Sequence, residues 1–490
     1  MSSEARMPRP EVGAVVWVVL VAAFGGFLFG FDTAVINGAV EPIREEFDLG
    51  ALMSGFSVSS ALLGCVVGAF TGGAISDRVG RQKAMLIAAA LFLISAVGTG
   101  MALGVPGLIF WRVLGGVGVG MASVIAPAYI AEVSPAAWRG RLGSLFQLAI
   151  VVGIFTAAVS NAMFANLAGG ADATLWLGLD AWRWMFISEA APALIYGLLA
   201  LSIPESPRYL VSRGRDEEAG RVLTEVVGLQ GESQLASKVA DIRRTINLEA
   251  RQKLRDLWVG GKLLPIVWVG IGLAVFQQFV GINVIFYYST TLWRAVGIAE
   301  EQAMLVQVIT TSLNILATII GILIVDKVGR RVPLAVGSAV MAAGLLTMAM
   351  AFSQATESET VNDFGDVETV VSLPEPWGII ALIAANIFVI GFGATWGPFM
   401  WLMLGEMFPN KVRAVALGLA SAFNWGSNFL ISSLFPQMAE LSLVFAYAFY
   451  GVSALVSLVF VLKWVPETNG REIEDMHNEA HRSDVPARLR

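Results

Sequence analysis

Three ionisable side chains stand inside otherwise apolar stretches: Asp32, Arg112 and Glu189. A charge at the centre of a hydrocarbon layer costs roughly 2.5–3.5 kcal/mol on insertion scales. Such residues are kept for a reason that the rest of the chain must supply. An Asp and an Arg at membrane depth are expected to pair, because each would otherwise be uncompensated. Protonating Asp32 would weaken the pair and so trade a proton for a conformational change. The alternatives are a fixed structural ion pair, or two charges lying unpaired at a water interface.

Neutral amides are the second signal. Gln277, Gln278 and Asn283 fall in one apolar run, followed by Tyr287 and Tyr288. Amides carry both donors and acceptors, which suits a polyhydroxyl ligand, and aromatic faces suit sugar C–H faces. On an unbroken helix at about 100° per residue, Gln278 and Asn283 would point roughly 140° apart. They converge only if the helix breaks, and Gly281 offers the break. The alternative use of such amides is to join helices by hydrogen bonds. Gln147, Asn314 and Asn424 extend the set with weaker individual signals. In a later run Gly391, Gly393, Gly397 and Pro398 permit bending ahead of Trp401. That run reads as a gating helix with Trp401 facing the site, or with Trp401 packed against lipid.

Charged clusters recur at the ends of apolar runs. Asp77, Arg78 and Arg81 around Gly80 match Asp326, Lys327, Arg330 and Arg331 around Gly329. Glu132 and Arg139 match Glu406 and Arg413, and Pro204-Glu205 matches Pro466-Glu467. Three matches in one order indicate an internal repeat. The clusters are expected to form inter-helix salt bridges that hold one gate state. Anchoring of topology alone would not demand the acidic members.

The elements that position these residues follow from composition. Of 490 residues, 56% are hydrophobic and 14% charged, well below the roughly 25% charged of a soluble domain. Apolar runs near 12–39, 51–76, 84–104, 107–131, 142–167, 182–203, 263–293, 302–325, 332–353, 377–405, 412–438 and 441–464 are long enough to cross a bilayer as helices. The fold class is therefore all-α membrane protein: twelve transmembrane helices in two pseudo-symmetric six-helix bundles, 1–203 and 263–464. An Arg-, Glu- and Asp-rich stretch, 204–262, reads as an intracellular helical linker, and 465–490 as a cytoplasmic tail. The polar residues 1–11 before a long first run suggest a retained span rather than a cleaved signal.

Of the 32 Lys and Arg, only Arg44, Arg183 and Arg294 fall in or beside odd-numbered loops, and Arg112 falls inside a run. Both termini are thus expected in the cytoplasm of a multi-pass protein in the cell (inner or plasma) membrane. The segment 354–376 has no Lys or Arg and is acidic, which suits the outside. Net charge is −6, so no nucleic acid partner is expected. His477 and His481 lie in the tail, and Cys65 is the single cysteine. A histidine proton relay, a metal site and a disulfide framework are accordingly not expected. No cofactor is expected, and no nucleophile–base set for an enzyme stands among the spans. Gly115 to Gly120 lacks dinucleotide-loop spacing and instead offers Gly116 and Gly120 for close helix packing.

These residues resemble the sugar porters of the major facilitator superfamily. The likeness rests on Asp77-Arg78-Val79-Gly80-Arg81, Pro204-Glu205-Ser206-Pro207-Arg208, Gln277 through Asn283, Gly397-Pro398 with Trp401, Glu406-Met407-Phe408-Pro409 and Pro466 through Gly470. It implies two rocking six-helix bundles around a central sugar site. Phe29, Gln147, Gln277, Gln278, Asn283, Tyr287, Asn314, Trp401, Asn424 and Trp425 would surround the ligand. Asp32 with Arg112 would couple the proton, since uniporting members tend to be neutral at the Asp32 position. Asn424 and Ile154 stand where proton-coupled bacterial members carry glutamines, which bears on the ligand's ring size and stereochemistry. The resulting expectation is a proton-coupled symporter importing a monosaccharide, a pentose or hexose such as xylose or glucose, working as a monomer in the lipid bilayer. The rivals are a facilitative uniporter, a proton/inositol symporter and a non-transporting sugar sensor.

Overall fold

The computed structural model describes residues 12–135, 139–249, 253–361, 367–409 and 412–468. The expected tail therefore lies largely outside the described residues, as do the side chains of Arg139 and Asp326. The first half contains α1 (Val12–Val35), a short α2 (Val40–Glu46), α3 (Ala51–Val79), α4 (Arg81–Gly100), α5 (Val105–Val133), α6 (Arg139–Ala168), α7 (Ala181–Ser188) and α8 (Ala190–Ala200). Three polar-faced helices follow, α9 (Pro207–Ser212), α10 (Asp216–Glu225) and α11 (Glu232–Glu249). The second half contains α12 (Pro265–Phe279), α13 (Ile282–Arg294), α14 (Glu300–Val328), α15 (Arg331–Phe352), α16 (Trp377–Gly391), α17 (Gly397–Met407), α18 (Arg413–Leu441) and α19 (Leu443–Trp464).

Among the described residues, ten helical segments are long and apolar enough to cross a membrane, with α12–α13 and α16–α17 each taken as one. The other two expected spans are helical but differ in detail. The sixth is interrupted at Glu189, between α7 and α8. Pro192 has no N–H for the carbonyl of Ser188, which is the physical reason for a break there. The eleventh, α18, is one helix of 29 residues whose middle carries Asn424, Ser427, Asn428, Ser432 and Ser433.

Two short hairpins depart from the all-helical expectation. Trp258–Val259 (β1) pairs with Lys262–Leu263 (β2) across Gly260 and Gly261, both at positive φ; that is the turn chemistry a two-residue hairpin requires. Thr356–Val361 (β3) pairs with Val367–Ser372 (β4), Thr356 opposite Ser372 and Val361 opposite Val367. Thr356, Ser358 and Thr360 alternate with Glu357 and Glu359 in one strand, and Val367, Thr369 and Val371 alternate with Glu368 and Val370 in the other, a period-two pattern of residues that favour a pleated backbone masked by the acidic character of the segment.

Close helix approach positions the site. A Cβ at Gly116 or Gly120 of α5 would strike the backbone of Ala61 or Cys65 in α3, as the small-residue spacing predicts. Gly30 of α1 and Gly153 of α6 interlock in the same way, bringing α1 against the helix that carries Gln147. The two halves meet chiefly along α3–α18 and α6–α14.

Candidate functional site

Gly281 adopts φ +79, a left-handed conformation that glycine tolerates and other residues resist. It splits the seventh span into α12 and α13. The break turns Asn283 back so that its Nδ2 donates to Gln278 Oε1 at 2.7 Å. Gln278 Nε2 donates to Gln277 Oε1 at 3.3 Å and Asn424 Oδ1 at 3.1 Å. Asn424 Nδ2 donates to Gln277 Oε1 at 2.8 Å and to the Ala274 carbonyl at 2.9 Å. Four of the expected amides thus form one network.

Other expected residues ring this network. Gln147, half-buried on α6, reaches across from the first half: its Nε2 lies 3.8 Å from the position a Cβ on Gly397 would take. Asn314 is buried with its Oδ1 against Gly393. Phe29 of α1 meets Trp425 of α18 at 5.4 Å between ring centroids, a contact between the halves. Tyr287 is buried. Trp401 lies one helical turn beyond Gly397 on α17 and is 38% exposed, whereas Gln277, Gln278 and Asn424 are buried. A cleft of about 290 Å³ opens between Val66, Ala69, Phe70, Ser123 and Val124 of the first half and Leu417, Gly418, Ser421, Ala422 and Trp425 of the second.

The tenth span carries a feature the sequence did not reveal. Phe392–Trp396 form a π-helical turn, a local irregularity frequent at functional sites. Its Trp396 indole donates to the Leu334 carbonyl and Ser338 Oγ, both at 3.0 Å. Its carbonyl accepts from Gln277 Nε2 at 3.3 Å.

Arg112 and Asp32 do meet, at 3.5 Å between Nη1 and Oδ1, with both side chains at least nine-tenths buried. This is longer than the 2.7–2.9 Å of a tight charge-assisted bond. Arg112 Nη2 also donates to the Val58 carbonyl at 3.1 Å, and the guanidinium lies 5.6 Å from the Phe186 ring. Glu189, only 2% exposed, sits close enough to interact with both charges. Its Oε1 and the Nε of Arg112 have no hydrogen-bond partner among the described residues. Glu189 was legible in the sequence only as a costly charge, since its neighbours Asp32 and Arg112 come from two other helices.

At one end of the molecule the charged clusters form two copies of one arrangement. Arg81 grips Glu132 with Nε–Oε2 at 3.2 Å and Nη2–Oε1 at 3.0 Å, and Asp77 at 2.8 Å. Arg330 grips Glu406 at 3.1 and 2.9 Å. Glu205 accepts from the Arg81 backbone N–H at 2.7 Å, and Glu467 accepts from those of Arg330 and Arg331 at 2.9 and 3.0 Å. Each carboxylate thereby caps a helix N-terminus, where orphan N–H groups favour negative charge. Gly80 (φ +99) and Gly329 (φ +78) make room for these caps. Ser206 and Thr468 complete the copies, donating to Glu132 and Glu406 at 2.5 and 2.6 Å. These bonds lie within one half each and do not bridge the halves. Arg78 is exposed at the surface, and its carbonyl accepts from Tyr209 at 3.3 Å. Arg413 Nε donates to the Phe408 carbonyl at 3.1 Å.

The opposite end is sealed by contacts that do bridge the halves. Asn37 Nδ2 donates to Thr290 Oγ1 at 2.8 Å and to Gln307 Oε1, and its Oδ1 accepts from the Thr290 N–H at 3.0 Å. Ser59 and Ser433 share a 2.5 Å bond, and Arg44 pairs with Glu440 at 3.0 Å. Neither Asn37 nor Gln307 stood out in the sequence, because a lone amide acquires meaning only from its partner.

Two pseudo-symmetric six-helix halves, sealed at one end and parted by a cleft nearer the other, define a membrane transporter. The chain belongs to the family described as Sugar (and other) transporter, whose sequence model matches residues 18–480. It is 50% identical to the glucose transport protein of Synechocystis sp., over 97% of this chain and 99% of that one. It is 36% identical to the D-xylose-proton symporter of Escherichia coli K12, over 94% of each. The partially occluded inward-open conformation of the E. coli xylose transporter XylE superposes with a TM-score of 0.79 at 34% identity, covering 94% of this chain and 100% of that one. The resemblance to sugar porters of the major facilitator superfamily, read from the motifs, is borne out.

Proposed function

We propose that the protein imports a monosaccharide together with a proton, by alternating access. The observation that carries this is the buried trio of Asp32, Arg112 and Glu189 in the first half, joined through α1 to the wall of the amide network in the second. Asp32 and Phe29 lie three residues apart on α1, and Phe29 contacts Trp425, the neighbour of Asn424. A change in charge at Asp32 is thereby linked to the wall of the amide site. One guanidinium and two carboxylates reach neutrality in a dry pocket when one proton is bound, so one proton per sugar is the expected ratio. Neutralising Asp32 removes about 5 kcal/mol of gross Coulomb attraction to Arg112 at 3.5 Å and an effective dielectric near 20, enough to bias a two-state carrier.

The Lys and Arg distribution supports a cytoplasmic location for the Gly80–Gly329 end and for both termini. On that assignment the Asn37 seal faces outwards and the cleft leads to the cytoplasm. Residues 1–203 and 263–464 are the rocking halves, 204–262 links them, and one chain suffices for transport. The names of the relatives, one for glucose and one for xylose with a proton, support a hexose or pentose as substrate. The protein reconstituted in vesicles should exchange labelled D-glucose or D-xylose in counterflow. Absence of exchange for both sugars, or exchange of myo-inositol alone, refutes the reading.

A further inference from the structure

We propose that Asn424 does not touch the sugar but sets the direction of the Gln278 and Asn283 amides; this rests on the sugar-binding reading above. Two backbone carbonyls, of Ala274 and Trp396, fix the network. A carbonyl only accepts, so Asn424 must turn its nitrogen to Ala274, and Gln277 its nitrogen to Trp396. Asn424 then has both N–H groups engaged, one on Ala274 O and one on Gln277 Oε1. Its Oδ1 faces Gln278, which forces the Gln278 nitrogen towards it and the Gln278 oxygen towards Asn283.

The polarity of each amide follows from the one before. Asn424 is only 3% exposed, with no N–H left for a ligand. Gln277 Oε1 is saturated by two donors. What remains for hydroxyls is one N–H on Gln277, one N–H and the whole Oδ1 of Asn283, and one lone pair each of Gln278 Oε1 and Asn424 Oδ1, the last on a side chain only 3% exposed. Asn283 is the least buried of the four amides, as a ligand-facing group should be. Asn424 is a positioning residue, a revision of its expected role as a sugar contact.

The test measures binding of D-glucose, D-xylose and the monodeoxy-D-glucose series to purified protein by calorimetry. The variants are Asn424→Ala, Asn424→Asp, Gln277→Ala/Gln278→Ala and the triple variant, with thermal unfolding followed alongside. Asn424→Asp keeps the shape but cannot donate to Ala274 O and Gln277 Oε1 together. At least a tenfold loss of affinity is expected in Asn424→Ala and Asn424→Asp, spread over several deoxy sugars in the pattern of the Gln277→Ala/Gln278→Ala variant. In the triple variant, Asn424→Ala should add less than twofold. A loss that vanishes for one deoxy sugar alone, and persists in full in the triple variant, makes Asn424 a direct contact and overturns the proposal. Lower thermal stability with unchanged affinity also overturns it. If the wild type binds none of these sugars, the sugar reading itself falls, and this proposal with it.

Discussion

Truncating Asn37 to alanine should open the sealed end of the molecule. In the closed state the change leaves the Thr290 N–H and Gln307 Oε1, two of the three buried atoms that Asn37 contacts together with Thr290 Oγ1, without Asn37. Gln307 and Thr290 are 1% and 4% exposed, so water does not replace the lost bonds while the seal holds. Each stranded group costs about 1–3 kcal/mol. In the open state both groups are hydrated and the penalty disappears. Taking the lower half of that range, about 1–2 kcal/mol for each of the pair, the closed state loses ~2–4 kcal/mol relative to the open one. That is a shift of roughly thirtyfold to several-hundredfold in the equilibrium. Arg44–Glu440 adds little resistance, since both side chains are about half exposed and such pairs contribute ~0–1 kcal/mol. The assay is pulsed dipolar spectroscopy between spin labels on Leu52 and Leu441, exposed residues at the sealed ends of α3 and α18. Asn37→Ala should enlarge the long-distance population at the expense of the short. Distance distributions that superimpose on the wild type refute the reasoning.

Other substitutions probe the remaining parts. Asp32→Asn should retain sugar counterflow but lose accumulation under a proton gradient, because the Arg112 partner no longer titrates; retained accumulation in vesicles argues against Asp32 as the coupling group. Gly281→Ala places a non-glycine residue at φ +79 with its Cβ 2.9 Å from the Tyr450 ring. The left-handed backbone alone costs ~1–2 kcal/mol, so sugar affinity measured by calorimetry should fall tenfold or more as the Asn283–Gln278 bond is lost. Glu132→Gln should destabilise the protein by about 1.5–3 kcal/mol, the worth of a hydrogen bond to a charged group, since Arg81 keeps only the exposed Asp77 carboxylate, and by more than Glu406→Gln. Glu132 is 11% exposed and Glu406 29%; equal shifts in thermal unfolding would contradict that ordering.

Much of the fold could be read from the chain because bilayer spans announce themselves by length and hydropathy, and because the repeat doubled every signal. The Gly281 break was legible for a physical reason: two amides that had to converge were out of phase on an unbroken helix. The π-turn at Phe392–Trp396 was not, since one extra residue in a helical turn leaves apolar spacing almost unchanged. The outer seal was hidden because Asn37, Thr290 and Gln307 are far apart in sequence and ordinary one by one. Glu189 drew attention as a charge, yet its relation to Asp32 and Arg112 depends on three helices meeting. The acidic content of 354–376 suggested a plain loop, and the period-two pattern of Thr, Ser and Val that makes the hairpin went unread.

The central claim is that a proton drives sugar uptake through this chain. Wild-type protein in vesicles with an inward gradient of one pH unit, and no membrane potential, measures it directly. One proton per sugar corresponds to ~1.4 kcal/mol, so D-glucose or D-xylose should accumulate up to about tenfold inside, with matching proton entry. Sugar that only equilibrates at any gradient, with no proton movement, would make the protein a facilitative carrier and contradict the account.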